Sequence, residues 1–231
     1  MLASNRVGVV WRLVEACGRL RTRQQQIHAQ LVEAMKEENK SLEETIQTMI
    51  LSSQSKTQYI NNKTNNNNLI LSFDYLYCMF LRSWLQLSLM NEPILVIISS
   101  FNTEFLFSMS CDSNASRIID AIMESSNRLE YKNKITLKLS NETLKLCKHR
   151  IGSFVLEKMF YASSIQAKKE IATKLSTIRP DNPNINKAQS VLLKKFAIEE
   201  FKHNQKVKIK SFTLTRSSHI TCLLLPRVLI L

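Results

Sequence analysis

The chain has 231 residues, a formal net charge of +13 and 44% hydrophobic side chains, enough apolar surface for a packed body and enough positive charge to draw in polyphosphate. Three glycines and four prolines are too few for the many tight turns of an all-β sandwich, and they leave no Gly-rich phosphate loop. Cys17, Cys78, Cys111, Cys147 and Cys222 are scattered without a CxxC pair, which excludes that zinc pattern and gives no disulfide framework. Residues 1–10 lack the apolar core of a secretory signal, so a reduced cytoplasmic or nuclear setting is expected.

In chain order, Val10, Trp11, Leu13 and Val14, then Ile27, Leu31, Val32 and Met35, predict two helices over 7–38 with a break near 18–22. Gln24, Gln25, Gln26 and His28 on the second form either a solvated face or a set of RNA contacts. Ser41 and Glu44 have capping-box spacing, so a third helix is expected over 41–54. Residues 6–58 are read as one helical repeat pair, and the asparagine-rich run 59–68 as a flexible loop too poor in apolar groups to offset the entropy of ordering.

Residues 69–109 are the most apolar part of the chain. A membrane span would need about 18 such residues in a row, but Asp74, Arg82, Asn91, Glu92 and Glu104 interrupt them. Charges at that density are costly in a bilayer, and buried helices, a longer one over 69–90 and a shorter one after it, are the better account. A helix pair follows over 105–125, turning near Asp112, Ser113 and Asn114. Its second helix is expected to carry Ser116, Arg117 and Asp120 on the exposed side.

The stretch 149–160, HRIGSFVLEKMF, carries two registers. Val155, Leu156, Met159 and Phe160 form an apolar stripe, while Ser153 and Glu157, one turn apart, share another face with Phe154 beside them. A hydroxyl and a carboxylate so placed can bond to the edge of a base, and an aromatic ring offers it a stacking surface. The pattern recurs. Residues 115–120 match 152–157 at an offset of 37, and Ala188, Gln189, Ser190, Val191, Leu192 and Leu193 repeat it 36 residues after the second copy, with Leu193 in place of the acid. Periods of this size mark helical solenoids, whose units bury their apolar faces against their neighbours.

Lys132, Lys134, Lys138, Lys145, Lys148 and Arg150 precede the second copy as a run that is either solvated or placed to hold phosphates. A single amphipathic helix is expected over 188–203, and its repeat, lacking the acid, reads as a cap or a shape-complementary surface. Repeats thus cover 69–205. The tail 206–231 ends in an apolar segment that is an unordered end, a gene-model artefact or a partner-binding segment. The histidines His28, His149, His203 and His219 have no partner at nucleophile or metal spacing, so neither an active site nor a metal or other cofactor is expected.

Ser153, Phe154 and Glu157 within HRIGSFVLEKMF resemble the RNA-facing helix of a Pumilio repeat. The runs at 8–35, 105–123, 149–175 and 194–203 resemble, in that order, the later half of the nucleolar-protein-nine family of Pumilio-repeat proteins. The resemblance implies an all-α, armadillo-like helical-repeat solenoid and binding to pre-ribosomal RNA in the nucleolus during maturation of the small ribosomal subunit, with pre-ribosomal proteins as possible neighbours. The implied RNA contacts are Ser153, Phe154 and Glu157, then Ser116, Arg117 and Asp120, then Gln189 and Ser190. The rival readings are a protein-binding scaffold of armadillo or HEAT type and a membrane-associated protein built around 69–109.

Overall fold

A computed structural model of the chain describes residues 6–35, 41–52, 55, 71–87, 91–125, 129–179 and 185–204; the asparagine-rich run and the tail lie outside the described residues. Polar side chains at the start of each apolar run set where helices begin. Ser41 accepts from the Glu44 N–H at 3.1 Å at the head of α3 (Leu42–Ile50), and Asp74 from the Tyr77 N–H at 3.2 Å at the head of α4 (Tyr75–Leu85). Asn102 does the same for α6 (Thr103–Cys111), after α5 (Glu92–Ser100), and Ser164 for α11 (Ile165–Leu175). Each such cap satisfies an amide that the helix itself cannot.

The two helices expected over 7–38 are α1 (Val7–Leu20) and α2 (Gln24–Ala34). Arg21 and Arg23 between them take left-handed backbone, φ 52° and 50°, at a cost of about 1 kcal/mol each for a side chain other than glycine. Farther on come α7 (Ser116–Glu124), α8 (Leu129–Leu139), a 3-10 turn Ser140–Glu142 leading into α9 (Thr143–Lys148), α10 (Arg150–Ala162) and α12 (Lys187–Lys195). Residues 198–204 are helical again.

The repeating unit has three helices, not the pair expected from the sequence, because the basic run 132–148 is itself helical. The units α3–α4–α5, α6–α7–α8 and α9–α10–α11 follow one another, flanked by α1–α2 and by α12. Their second helices stack in one row, α1 on α4, α4 on α7, α7 on α10 and α10 on α12, while α5, α8 and α11 stack behind. Among the described residues there is no strand, only an isolated antiparallel bridge between Leu51 and Phe73.

Helix α4 is buried on almost every side, with Cys78, Met79, Phe80, Leu81, Trp84 and Leu85 in the core, which is why its sequence is apolar all round. Its Trp84 indole N–H donates to His28 Nδ1 at 3.1 Å and ties α4 to α2. His28 is therefore an acceptor held by the fold rather than a free face residue, and burial lowers its pKa. Among the described residues no single helix is long and apolar enough to cross a membrane; α5 and α6 suffice only as a pair, and they meet at 107°. Ile94, Leu95, Ile98, Phe105, Leu106 and Met109 from this pair are buried in the repeat core.

The helix expected over 188–203 is broken. Phe196 and Ile198 are both buried, yet residues two apart point to different sides of a continuous helix. Ala197, at φ 50°, turns the chain so that both enter the core. The Phe196 ring then stacks on Phe160 of α10, with centroids 3.9 Å apart and planes 11° apart.

Candidate nucleic-acid interface

Helices α7 and α10 are built alike. The Asp112 carboxylate accepts from the Asn114 and Ala115 N–H groups at 2.7 and 2.9 Å, and His149 Nδ1 accepts from the Gly152 N–H at 3.1 Å. His149 is thus the cap between α9 and α10. Gly152 is packed tightly: a Cβ there would lie 3.1 Å from both the Leu146 carbonyl oxygen and its Cδ2. Burial follows the same order along 115–123 and 152–160, position by position, as the 37-residue offset requires.

Several candidate residues occupy different settings from those expected. Ser116 and Ser153 are 6% and 5% exposed, not on the outer side, and the Ser153 hydroxyl donates to the Arg150 carbonyl at 2.9 Å. They sit one position before the exposed stripe, where α7 and α10 press on their neighbours. The stripe itself carries Arg117, which is exposed, and Phe154, which is 65% exposed. Asp120 and Glu157 lie three residues farther along it, and each meets a lysine from the next unit. Lys158 reaches Asp120 at 3.0 Å and Glu124 at 2.7 Å, and Lys195 reaches Glu157 at 2.6 Å. Burial works against the Lys158 ammonium, but hydrogen bonds to Glu124 and Asp120 outweigh it, so its pKa is raised.

The third copy is displaced by one residue from the sequence alignment. Burial along 189–196 follows 152–159 at an offset of 37, not 36. Ser190 therefore matches Ser153, Val191 matches Phe154, Leu193 is a core residue like Leu156, and Lys194 stands at the acid's position. Gln189 is 3% exposed and closes the start of α12: its Oε1 accepts from the Asn186 N–H at 3.0 Å, and its own N–H donates to Asn186 Oδ1 at 2.8 Å. That reciprocal cap removes Gln189 from the face. Lys158, Lys194 and Lys195 were missed in the sequence, although burial at a constant 37-residue spacing is the signal that finds them.

Much of the basic run is structural. The Lys138 ammonium donates to the carbonyls of Ser99, Ser100 and Phe101 at 2.9, 2.9 and 2.7 Å, closing the end of α5. Lys132 is buried and donates to the Ser125 carbonyl, and Lys145 pairs with Glu142 at 2.8 Å. Lys148 and Arg150 remain exposed near the head of α10. Among the described residues no three His, Cys, Asp or Glu side chains are grouped to hold a metal ion.

A row of homologous helices whose exposed stripe repeats at this spacing is what a Pumilio-type solenoid requires, and the profile of the NOP9-like PUF repeat domain matches residues 1–179. The chain belongs to the NOP9-like PUF repeat family. Pumilio homolog 23 of Arabidopsis thaliana is 27% identical over 110 residues, which cover 48% of this chain and 14% of that protein. The solved structure of APUM23-GGAGUUGACGG superposes with a TM-score of 0.69 at 22% identity, over 87% of this chain and 38% of that one. The structure of APUM23-deletion-of-insert-region-GGAAUUGACGG gives 0.69 at 21% identity, over 94% and 42%. These likenesses establish the fold, and the chain spans well under half the length of the relatives it matches. In the three-helix units of this chain, α7 and α10 are the second helices, and α12 follows them in the same row.

Proposed function

We propose that the row α7–α10–α12 binds single-stranded RNA, with Arg117 and Phe154 as stacking surfaces in successive units and Val191 at the third position. The observation that carries this reading is Phe154 itself, a large aromatic ring left 65% exposed on a repeat face that has an arginine at the matching place one unit earlier. An exposed ring beside cationic side chains is what a base and its phosphate need, since stacking on an aromatic contributes about 1–3 kcal/mol per base. Arg117 can serve through its flat guanidinium or meet a phosphate. Asp120, Glu157 and Ser190 border the stripe, and Ser116 and Ser153 line its buried margin.

Support comes from the family and from solved relatives named with U-containing strands. The finer reading is pre-ribosomal RNA, bound in the nucleolus during small-subunit maturation, with pre-ribosomal proteins as neighbours; it follows from the nucleolar character of the resemblance. The test is fluorescence anisotropy with the RNA strand GGAGUUGACGG at two salt concentrations. Phe154→Ala is expected to weaken binding about tenfold, and affinity of the unaltered chain to fall steeply with salt. A protein-binding scaffold would be indifferent to both, and equal affinity of the folded Phe154→Ala variant would overturn the proposal.

A further inference from the structure

Two ion pairs cross the boundaries between successive units at homologous places. Lys158 of α10 reaches back to Asp120 of α7, and Lys195 of α12 reaches back to Glu157 of α10, at 3.0 and 2.6 Å. In the 37-residue register Asp120 matches Glu157 and Lys158 matches Lys195, so one contact is built twice. None of the four side chains is buried: Asp120 and Glu157 keep 27% and 24% of their side-chain surface, Lys158 and Lys195 39% and 46%. Residues three and four apart share a helix face, which puts both pairs on the stripe of Arg117 and Phe154.

A bare carboxylate on that stripe would repel a phosphate backbone, and a bare ammonium would attract any phosphate without regard to the base. Held together, Lys195 and Glu157 nearly cancel in charge and offer an acceptor directly beside a donor, while Lys158 offsets one of the two negative charges of Asp120 and Glu124. Base edges present donors and acceptors side by side in the same way. One oxygen of each acid is engaged by its lysine, and the second oxygen of Asp120, Oδ1, is buried without a hydrogen-bond partner among the described residues.

We infer that Lys158 and Lys195 are positioning residues of the strand-binding row, each orienting and neutralising the carboxylate of the preceding unit, so that a nucleotide subsite is assembled from two repeats. This rests on the RNA-binding reading above and adds two residues to it. It makes the α10 subsite depend on α12, and it makes the sign of the row change at α12, where Lys194 takes the acid's place.

The test uses the full chain, the RNA strand GGAGUUGACGG and anisotropy titrations at about 100 mM salt, with thermal unfolding of every variant. Lys158→Met is expected to weaken binding about tenfold, because it leaves Asp120 and Glu124 uncompensated beside the strand. Lys169→Met, on α11 outside the row, should cost no more than about twofold as a simple loss of charge. Lys158→Arg should restore binding, and the loss in Lys158→Met should shrink when Asp120→Asn is added, a coupling that mere loss of a phosphate contact would not produce. If Lys158→Met proves less stable, Lys195→Met puts the same question at the second copy.

Equal losses for Lys158→Met and Lys169→Met, with Phe154→Ala still weakening binding, would overturn the inference and leave the RNA reading standing. Failure of Lys158→Arg to restore binding in a folded protein would do the same. No effect of Phe154→Ala would remove the RNA reading, and this inference with it.

Discussion

Replacing Phe196 by alanine should detach α12 from the solenoid without unfolding the rest. The Phe196 ring is 5% exposed, stacked on Phe160 at 3.9 Å and edge-on to Tyr161 at 6.0 Å. Truncating a buried phenylalanine costs about 3–5 kcal/mol, and an aromatic pair contributes about 1 kcal/mol of its own. Because α12 is the last described helix of the row, water can re-cover part of the gap, which favours the lower end, about 3 kcal/mol. In a solenoid, stability is a sum of unit and nearest-neighbour contributions, so this loss falls on the α10–α12 boundary. Opening of α12 should then become roughly a hundredfold easier. Amide hydrogen exchange measures it directly: protection across 187–204 should fall by about that factor, while amides of α4 and α7 keep theirs. Uniform loss of protection through α4, α7 and α10 would refute the neighbour-by-neighbour account, as would unchanged protection of α12.

Trp84→Phe, which removes the donor to His28, should destabilise the chain by about 1 kcal/mol or more in urea titrations. In the unaltered protein the lowered His28 pKa means that the unfolded chain binds the proton first. The stability linked to burying His28 in its neutral form is thus present above the unfolded-state value of about 6.5 and declines as the pH falls through the folded-state pKa, read as the urea midpoint against pH. Lys138→Met strips three carbonyls at the end of α5 of their donor and should cost about 1–2 kcal/mol, seen as a lower unfolding midpoint. Gly152→Ala should destabilise by about 1 kcal/mol, because the new methyl meets a backbone oxygen at 3.1 Å, and an unfolding temperature equal to or above that of the unaltered chain would contradict it.

Legibility in the sequence followed range. Helices with a polar start or a periodic apolar face, such as α3 and α10, could be placed from residues a turn apart, because capping and amphipathicity are local. The offset of 37 between α7 and α10 was visible for the same reason. Less was legible in the third copy, where Gln189 looked like a contact and Leu193 like a lost acid. Small polar and apolar residues suit two alignments one residue apart, and only burial in the assembled row selects between them.

By itself, then, the sequence determined a basic, glycine-poor, all-helical repeat protein with Phe154 and Arg117 at matching places, since composition and period depend on nothing beyond the chain. Tertiary structure alone decided which polar groups are available. Ser116 and Ser153 were drawn into the contact between helices, Lys132 and Lys138 were taken up as caps, and Asp120 and Glu157 acquired lysine partners 38 residues away. Such pairings form when one unit stacks on the next, and the helical period of a single segment, which relates residues three or four apart, cannot show that side chains 38 apart touch.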